Sequence, residues 1–165
     1  AIFYNVIMQL NWVYKSFNEL TTTELYAILQ LRSEVFVVEQ NCIYQDIDGK
    51  DKKSTHLMAW HNDNLVAYTR LVPQGVSFKE ASIGRVITSP FYRGLGIGIT
   101  LLEKSIEQTL ATYQTTIIRI GAQLYLKKFY EGFGFVSEGE EFLEDGNPHI
   151  EMVFSKVSLA ISAED

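Results

Sequence analysis

The chain has 165 residues and a formal net charge of -6, with 47% hydrophobic and 21% charged residues. That length and balance suit one soluble globular domain with a sizeable core. The acidic charge argues against general affinity for nucleic acid or anionic lipid. No apolar run nears the roughly 20 residues that span a bilayer, so no membrane partner is expected.

Cys42 is the only cysteine, so neither an internal disulfide nor a thiolate metal cluster is available, and no metal is expected. Its apolar, partly buried reading is preferred to that of a nucleophile. Ala1–Leu10 is apolar but lacks a basic start and a small-residue cleavage site, so a cytoplasmic location is expected. The single domain takes in residues 1–165, with residues 1–9 and 158–165 as loosely ordered ends.

In chain order, Leu10, Trp12 and Tyr14 alternate with Asn11, Val13 and Lys15, which predicts a first strand. Thr21 and Glu24 have the spacing of a capping box, which opens a helix carrying Leu25, Ile28, Leu29, Arg32, Val35 and Phe36 near one face. Arg32 interrupts that stripe and is read as a snorkelling side chain ahead of a pocket residue. Asn41–Lys53 is polar and predicts a loop. Strands follow over His56–Trp60 and Leu65–Val72, joined by the turn residues His61–Asn64. Ser82–Thr88 is the next strand. Ile99, Leu102, Ile106 and Leu110 then predict a buried helix face. Thr116–Ala122 is a β-branched strand, and Leu126, Phe129, Tyr130 and Phe133 stripe a short helix that stops at Gly134. Val136–Glu141 and Ile150–Val157 close the series. This order lacks the regular alternation of a doubly wound fold, so a mixed α+β sheet with helices on both faces is expected.

The most informative segment is Arg93-Gly94-Leu95-Gly96-Ile97-Gly98, between a strand and an amphipathic helix. Glycines let consecutive N–H groups converge on one concavity without an obstructing Cβ. The helix start adds free donors and a positive dipole end, and Arg93 adds a fork of charged donors. These are the requirements of a diphosphate site. A Gly-x-Gly-x-x-Gly turn fails because Ile99 and Leu101 stand where its third glycine would fall, and no Gly-Lys-Ser/Thr triplet exists for a P-loop. Asp46-Ile47-Asp48-Gly49 is not a calcium loop, since its glycine comes too early and no terminal glutamate follows.

The segment resembles motif A of the GNAT acetyltransferase superfamily, preceded by Pro90-Phe91-Tyr92-Arg93. A second match places Gln123 after the next strand, Tyr130 seven residues later, then Gly134-Phe135. The Val35–Cys42, Tyr44–Gly49, Gly84-Arg85-Val86 and Glu144–Gly146 segments, with Pro148-His149, resemble the ElaA-like branch. Ile43 stands where proline is expected, and Gln123 where the superfamily usually has asparagine.

The resemblance implies the GNAT acyl-CoA N-acyltransferase fold, with a mostly antiparallel sheet and splayed strands around the cofactor. It implies direct acetyl transfer from acetyl-CoA to a primary amine of a small molecule or peptide. The coenzyme would lie along Val86, Ile87 and Thr88, with its diphosphate at Arg93, Gly94, Leu95, Gly96, Ile97, Gly98 and Ile99, and Gln123 and Tyr130 beyond. Tyr130 matches the position that protonates the leaving thiolate, a task suited to a hydroxyl with a reference pKa of about 10. It also shares an apolar stripe, where a core aromatic would be unremarkable.

The amine must lose a proton, and Ser82–Arg85 offers no carboxylate. Glu39, Asp46, Asp48, His56 and His149 are the candidates for the acceptor side, with no base singled out. Glu138, Glu140, Glu141, Glu144 and Asp145 read as a solvated acidic run that would attract cations if it borders the cleft. The acceptor stays open between polyamine, amino sugar, peptide N-terminus and lysine, and a homodimer stays open too. The alternative function is a non-catalytic acetyl-CoA- or CoA-binding sensor or interaction module, which would share the same turn.

Overall fold

The computed structural model describes residues 9–156, so the expected loose ends lie outside the described residues apart from Gln9. Strands β1 (Asn11–Ser16), β2 (Thr55–His61), β3 (Asn64–Val72) and β4 (Ser82–Thr88) form one antiparallel sheet in chain order. Strands β5 (Ile117–Gln123), β6 (Val136–Glu144) and β7 (Asn147–Ser155) form a second sheet in the order β5-β7-β6. The sheets meet where Ala81 bridges Ile118 in parallel, and Arg119 donates its N–H to the Ala81 carbonyl at 3.0 Å. Beyond that bridge β4 and β5 part, leaving a wedge between them. The α+β class holds, as an antiparallel sheet split in two.

Helices α1 (Thr22–Arg32) and α2 (Ile97–Thr112) cover opposite faces of the first sheet. Strand alternation decides which residue meets which helix. Met58, Tyr68 and Ile87 pack with Ile28, Leu31 and Val35 on the α1 side, while Leu57, Ala59 and Ala67 pack with Ile97 and Leu101 on the α2 side. Ile118, Ile120, Ile150, Met152 and Phe154 of the second sheet share a core with Leu102, Tyr130 and Phe135. Burying each large aliphatic side chain contributes about 1.5–3 kcal/mol. The Thr21–Glu24 capping box forms as expected, with Glu24 N–H donating to Thr21 Oγ1 at 3.1 Å and Thr21 N–H to Glu24 Oε1 at 2.8 Å.

Three local expectations change. Arg32 does not snorkel: it is fully buried, with Nε 2.9 Å from Asp46 Oδ2 and Nη1 2.6 Å from Asp51 Oδ1. The polar segment after α1 folds inward because it carries the carboxylates that this cation requires. The buried face of α2 contains Ser105 and Thr109, whereas Ile99 is 52% exposed. Ser105 bonds the Leu101 carbonyl and Thr69, and Thr109 bonds the Ser105 carbonyl, so both hydroxyls are satisfied without water. The strand expected over Val136–Glu141 runs on to Glu144 and β7 starts at Asn147, so the acidic run, exposed as expected, lies on a β-hairpin. Asp145 and Gly146 turn between them with φ of 48° and 79°, the geometry for which Asp-Gly is favoured.

Candidate active site

The wedge opens because β4 is bulged. Tyr68 pairs with Ile87 and Arg70 with Gly84, so one residue of β3 faces two of β4, Arg85 and Val86. Arg85 adopts φ +53°, unfavourable for a side chain with a Cβ. It is held there by its guanidinium: Nε donates to Asp46 Oδ1 at 2.8 Å and Nη2 to the Asp46 carbonyl at 3.0 Å, between the Phe36 and Tyr44 rings. A bulge leaves a residue out of the ladder and bends its strand, which both widens the wedge and turns backbone groups toward it. The resulting cleft has a volume of about 1160 Å³.

Of the expected coenzyme residues, Val86, Ile87 and Thr88 line one wall of this cleft. Arg93 and Gly98 line its mouth, and Gln123 and Tyr130 its opposite side. Gly94 and Gly96 form the turn with φ of 80° and 78°, and nothing lies within 4 Å of where a Cβ would stand on either. Ile97 faces the core and Ile99 faces outward, so of these two only their backbone is offered to a ligand. Gly96 is the N-cap of α2, and the helix has no acidic residue in its first turn. Its first N–H groups therefore meet no carboxylate from their own turn. The turn fits a diphosphate group.

Tyr130 on α3 (Lys127–Glu131) is 6% exposed and packs edge-on against Phe129 and Phe135. Burial pushes its phenol up, so it stays protonated. Among the described residues its hydroxyl has no hydrogen-bond partner. Across the cleft, the β5–β7 register sets Gln123 opposite His149 and Gly121 opposite Glu151. His149 donates from Nδ1 to the Asn147 carbonyl at 2.7 Å, so Nε2 is the ring nitrogen that can exchange a proton. That nitrogen lies 3.4 Å from Glu144 Oε2, and the ring stacks on Phe142.

Other expected acceptor residues are used differently. His56 is fully buried and does not line the cleft: its Nε2–H donates to the Asp51 carbonyl at 3.0 Å and its Nδ1 accepts from Tyr68 at 2.6 Å. Burial holds its pKa down. Asp46 is committed to Arg32 and Arg85 beneath the bulge. Asp48 borders the cleft but is forked to Arg70, at 2.8 and 2.9 Å. Burial would raise Asp48, yet the Arg70 guanidinium holds it well below the usual carboxylate range. Glu39 lies at the cleft mouth, where its Oε1 pairs with Arg93 Nη2 at 2.7 Å. Three arginines and three aspartates, Arg32, Arg70 and Arg85 with Asp46, Asp48 and Asp51, thus form one nearly closed network.

Sequence reasoning singled out neither Lys50, Ser77 and Ser82 nor Phe78, Phe142 and Glu151, all of which line the cleft. The Asp-Gly turn was the one available signal, because it predicts a hairpin that sets Glu144 beside His149. The polar residues lie singly on loops and on two strands, without a motif.

Antiparallel strands parting around a bulge, with a glycine turn opening a helix at the mouth, make an acyl-CoA N-acyltransferase fold. The chain belongs to the GNAT acetyltransferase family, with residues 19–156 matching the acetyltransferase (GNAT) domain. The protein ElaA of Escherichia coli is 43% identical over 145 residues, which cover 87% of this chain and 95% of ElaA. A UPF0039 protein of Synechocystis sp. is 42% identical over 148 residues, covering 89% of this chain and 96% of that protein. The crystal structure of an acyl-CoA N-acyltransferase from Pseudomonas aeruginosa superimposes with a TM-score of 0.85 at 42% identity, covering 89% of this chain and 100% of that one. That of Escherichia coli ElaA gives 0.83 at 42% identity, with the same coverage.

Proposed function

We propose that this protein transfers the acetyl group of acetyl-CoA directly to a primary amine. The observation that carries the reading is the cleft itself, which is lined by a protonated tyrosine and a histidine in one space behind the glycine turn. Acetyl-CoA brings the thioester whose acyl group is transferred. In this reading Arg93 and the N–H groups of Gly94–Gly98 hold the diphosphate. The backbone of Val86–Thr88 pairs with the pantetheine arm like an added strand.

His149 Nε2 takes the proton that the amine must lose, and Glu144 stabilises the imidazolium that forms. The amine nitrogen bonds to the acyl carbon as the carbon–sulfur bond breaks, Tyr130 gives its hydroxyl proton to the departing sulfur, and the second proton that the nitrogen sheds as the amide forms restores the Tyr130 hydroxyl. Glu144, Asp145 and Glu151 remain on the cleft to attract a cationic acceptor, whereas Glu39, Asp46 and Asp48 are spent on arginines.

The test is turnover: an amine panel with acetyl-CoA, read by mass spectrometry for product and by thiol release. Product formation separates an enzyme from a coenzyme-binding module, whereas binding alone does not. In a His149→Gln variant, the acidic limb of the kcat/KM pH profile should disappear while coenzyme binding persists. An unchanged profile would remove His149 from the proton path.

A further inference from the structure

The acceptor end of the cleft carries a cation that nothing balances. Lys50 is half-buried on the loop before β2, and its Nζ donates to Ser77 Oγ at 3.2 Å. Among the described residues it pairs with no carboxylate, and the six-membered arginine–aspartate network beside it is already neutral in sum.

Two further donors share this floor. Ser82 is 5% exposed and alternates with core residue Ile83, so it faces the cleft, and its hydroxyl has no partner among the described residues. Arg70 is 3% exposed, and its Nε–H is the one buried side-chain polar atom left without a partner among the described residues. Unanswered buried donors are uncommon and call for an acceptor. On the far side Phe78 and Phe142 flank Gly121. A Cβ there would stand 3.9 and 4.0 Å from their ring tips, so glycine keeps an apolar slot open between them.

We infer that Lys50, Ser77 and Ser82 form a carboxylate subsite, so that the acceptor is an amine carrying its own carboxylate at a distance. This deepens the transfer reading and rests on it for where the amine lies. One uncompensated cation matches a monoanion, and three donors on one cleft wall, two of them in contact, match two oxygens. The strand supplies the ruler. With the acyl carbon taken to lie beside the bulge, where the proposed pantetheine path along Val86–Thr88 ends, Ser82 precedes it by three to four residues, which at ~3.3 Å per residue puts the carboxylate about 10–13 Å from that carbon. An α-amino acid is too short to bridge that span. A tripeptide, reaching about 10 Å between its ends, fits with its small side chains along the phenyl slot.

The experiment measures calorimetric binding to the CoA-loaded protein of tri-alanine, tri-alanine amide and alanine, with 8-aminooctanoate against octylamine as a peptide-free pair. Tri-alanine should bind about tenfold tighter than its amide, the ratio one charge-assisted contact provides. Alanine should bind more weakly than either. In Lys50→Gln the acid-to-amide ratio should fall below about twofold, and in Ser82→Ala to an intermediate value, with melting temperatures checking that both variants fold. A ratio of one in the wild type, or a ratio unchanged in both variants, overturns the subsite. Carboxylate preference without acetyl product from acetyl-CoA would leave the subsite standing and remove the transfer reading. Product without the preference would do the reverse.

Discussion

Tyr130 is the residue for which packing and chemistry are hardest to separate, because its ring belongs to the core while its hydroxyl reaches the cleft. Removing the oxygen breaks no hydrogen bond among the described residues, so Tyr130→Phe should melt like the wild type. It should slow turnover roughly 10²–10⁴-fold, the range for losing a general acid, with the acetyl-CoA KM unchanged. A rate within error of wild type in a chemistry-limited assay would return the residue to packing alone. Arg93 shows the opposite balance, since it is 46% exposed on its side chain and paired to Glu39 at the mouth. Arg93→Ala should weaken coenzyme binding by about 1.5–3 kcal/mol. Glu39→Gln should strengthen it by up to about fivefold, because a surface pair worth no more than about 1 kcal/mol no longer competes with the diphosphate. Calorimetry showing Glu39→Gln weaker than wild type would place Glu39 with the acceptor instead.

Among the elements, α2 leaves the backbone of its first turn open beside the cleft while its later turns pack into the core. Gly98 makes the distinction measurable. Its φ is not in the left-handed region, and an added Cβ would meet only Thr88 Oγ1 at 3.6 Å, an ordinary contact. Gly98→Ala should therefore keep or raise the melting temperature, alanine being about 1 kcal/mol better than glycine within a helix. Coenzyme affinity should nevertheless fall by at least about tenfold if the methyl stands in the proposed diphosphate space. Equal affinity would show that the ligand does not approach this turn closely. Gly96 is different: at φ +78° a Gly96→Val change strains the backbone before any ligand arrives. Helix α1 has its own adaptation. Beyond Arg32 it widens, with Gln40 N–H bonding the Val35 carbonyl and Cys42 N–H that of Val37, five residues back in each case. This turn brings Val35, Phe36, Glu39 and Gln40 to the cleft wall, as such wide turns often do at functional sites.

At the scale of the molecule, the arginine–aspartate network ties α1, the loop before β2, and the bulged strand together. Truncating Arg32 leaves Asp46 and Asp51 short of a buried partner, so Arg32→Ala should lose about 3–5 kcal/mol of unfolding free energy, measured by urea titration. A loss below 1 kcal/mol would mean that water replaces the guanidinium. The network also fixes the acid response. His56 is held neutral, its pKa lowered by burial, while in the unfolded chain it takes a proton near pH 6.5. Stability should be complete above that pH and decline below it, by at most about 1.4 kcal/mol per pH unit. Asp48 and Asp51, which burial would raise, are held low by Arg70 and Arg32 respectively and act in the same direction. Their contribution is present above the unfolded value of about 3.9 and is lost as pH falls further. His56→Gln should flatten the slope between pH 7 and 5, and a slope that survives would assign it to another group.

Much of this architecture is written locally. The capping box of α1, the Asn62 and Asp-Gly turns, the span of β4 and the glycine turn before α2 all follow from backbone preferences within a few residues, which sequence carries directly. The candidate diphosphate site was legible for the same reason, since it consists of backbone donors whose positions glycine spacing dictates. The acceptor half was not. Glu39, Asp46, Asp48 and His56 looked alike as isolated polar residues, and the partners that decide their roles lie between 5 and 54 positions away in the chain. Whether a carboxylate meets an arginine or a substrate depends on which side of a bulged strand it lands. That was decided only when α1, the loop after it and β4 packed together, because the charge of buried Arg32 had to be answered before any ligand could be.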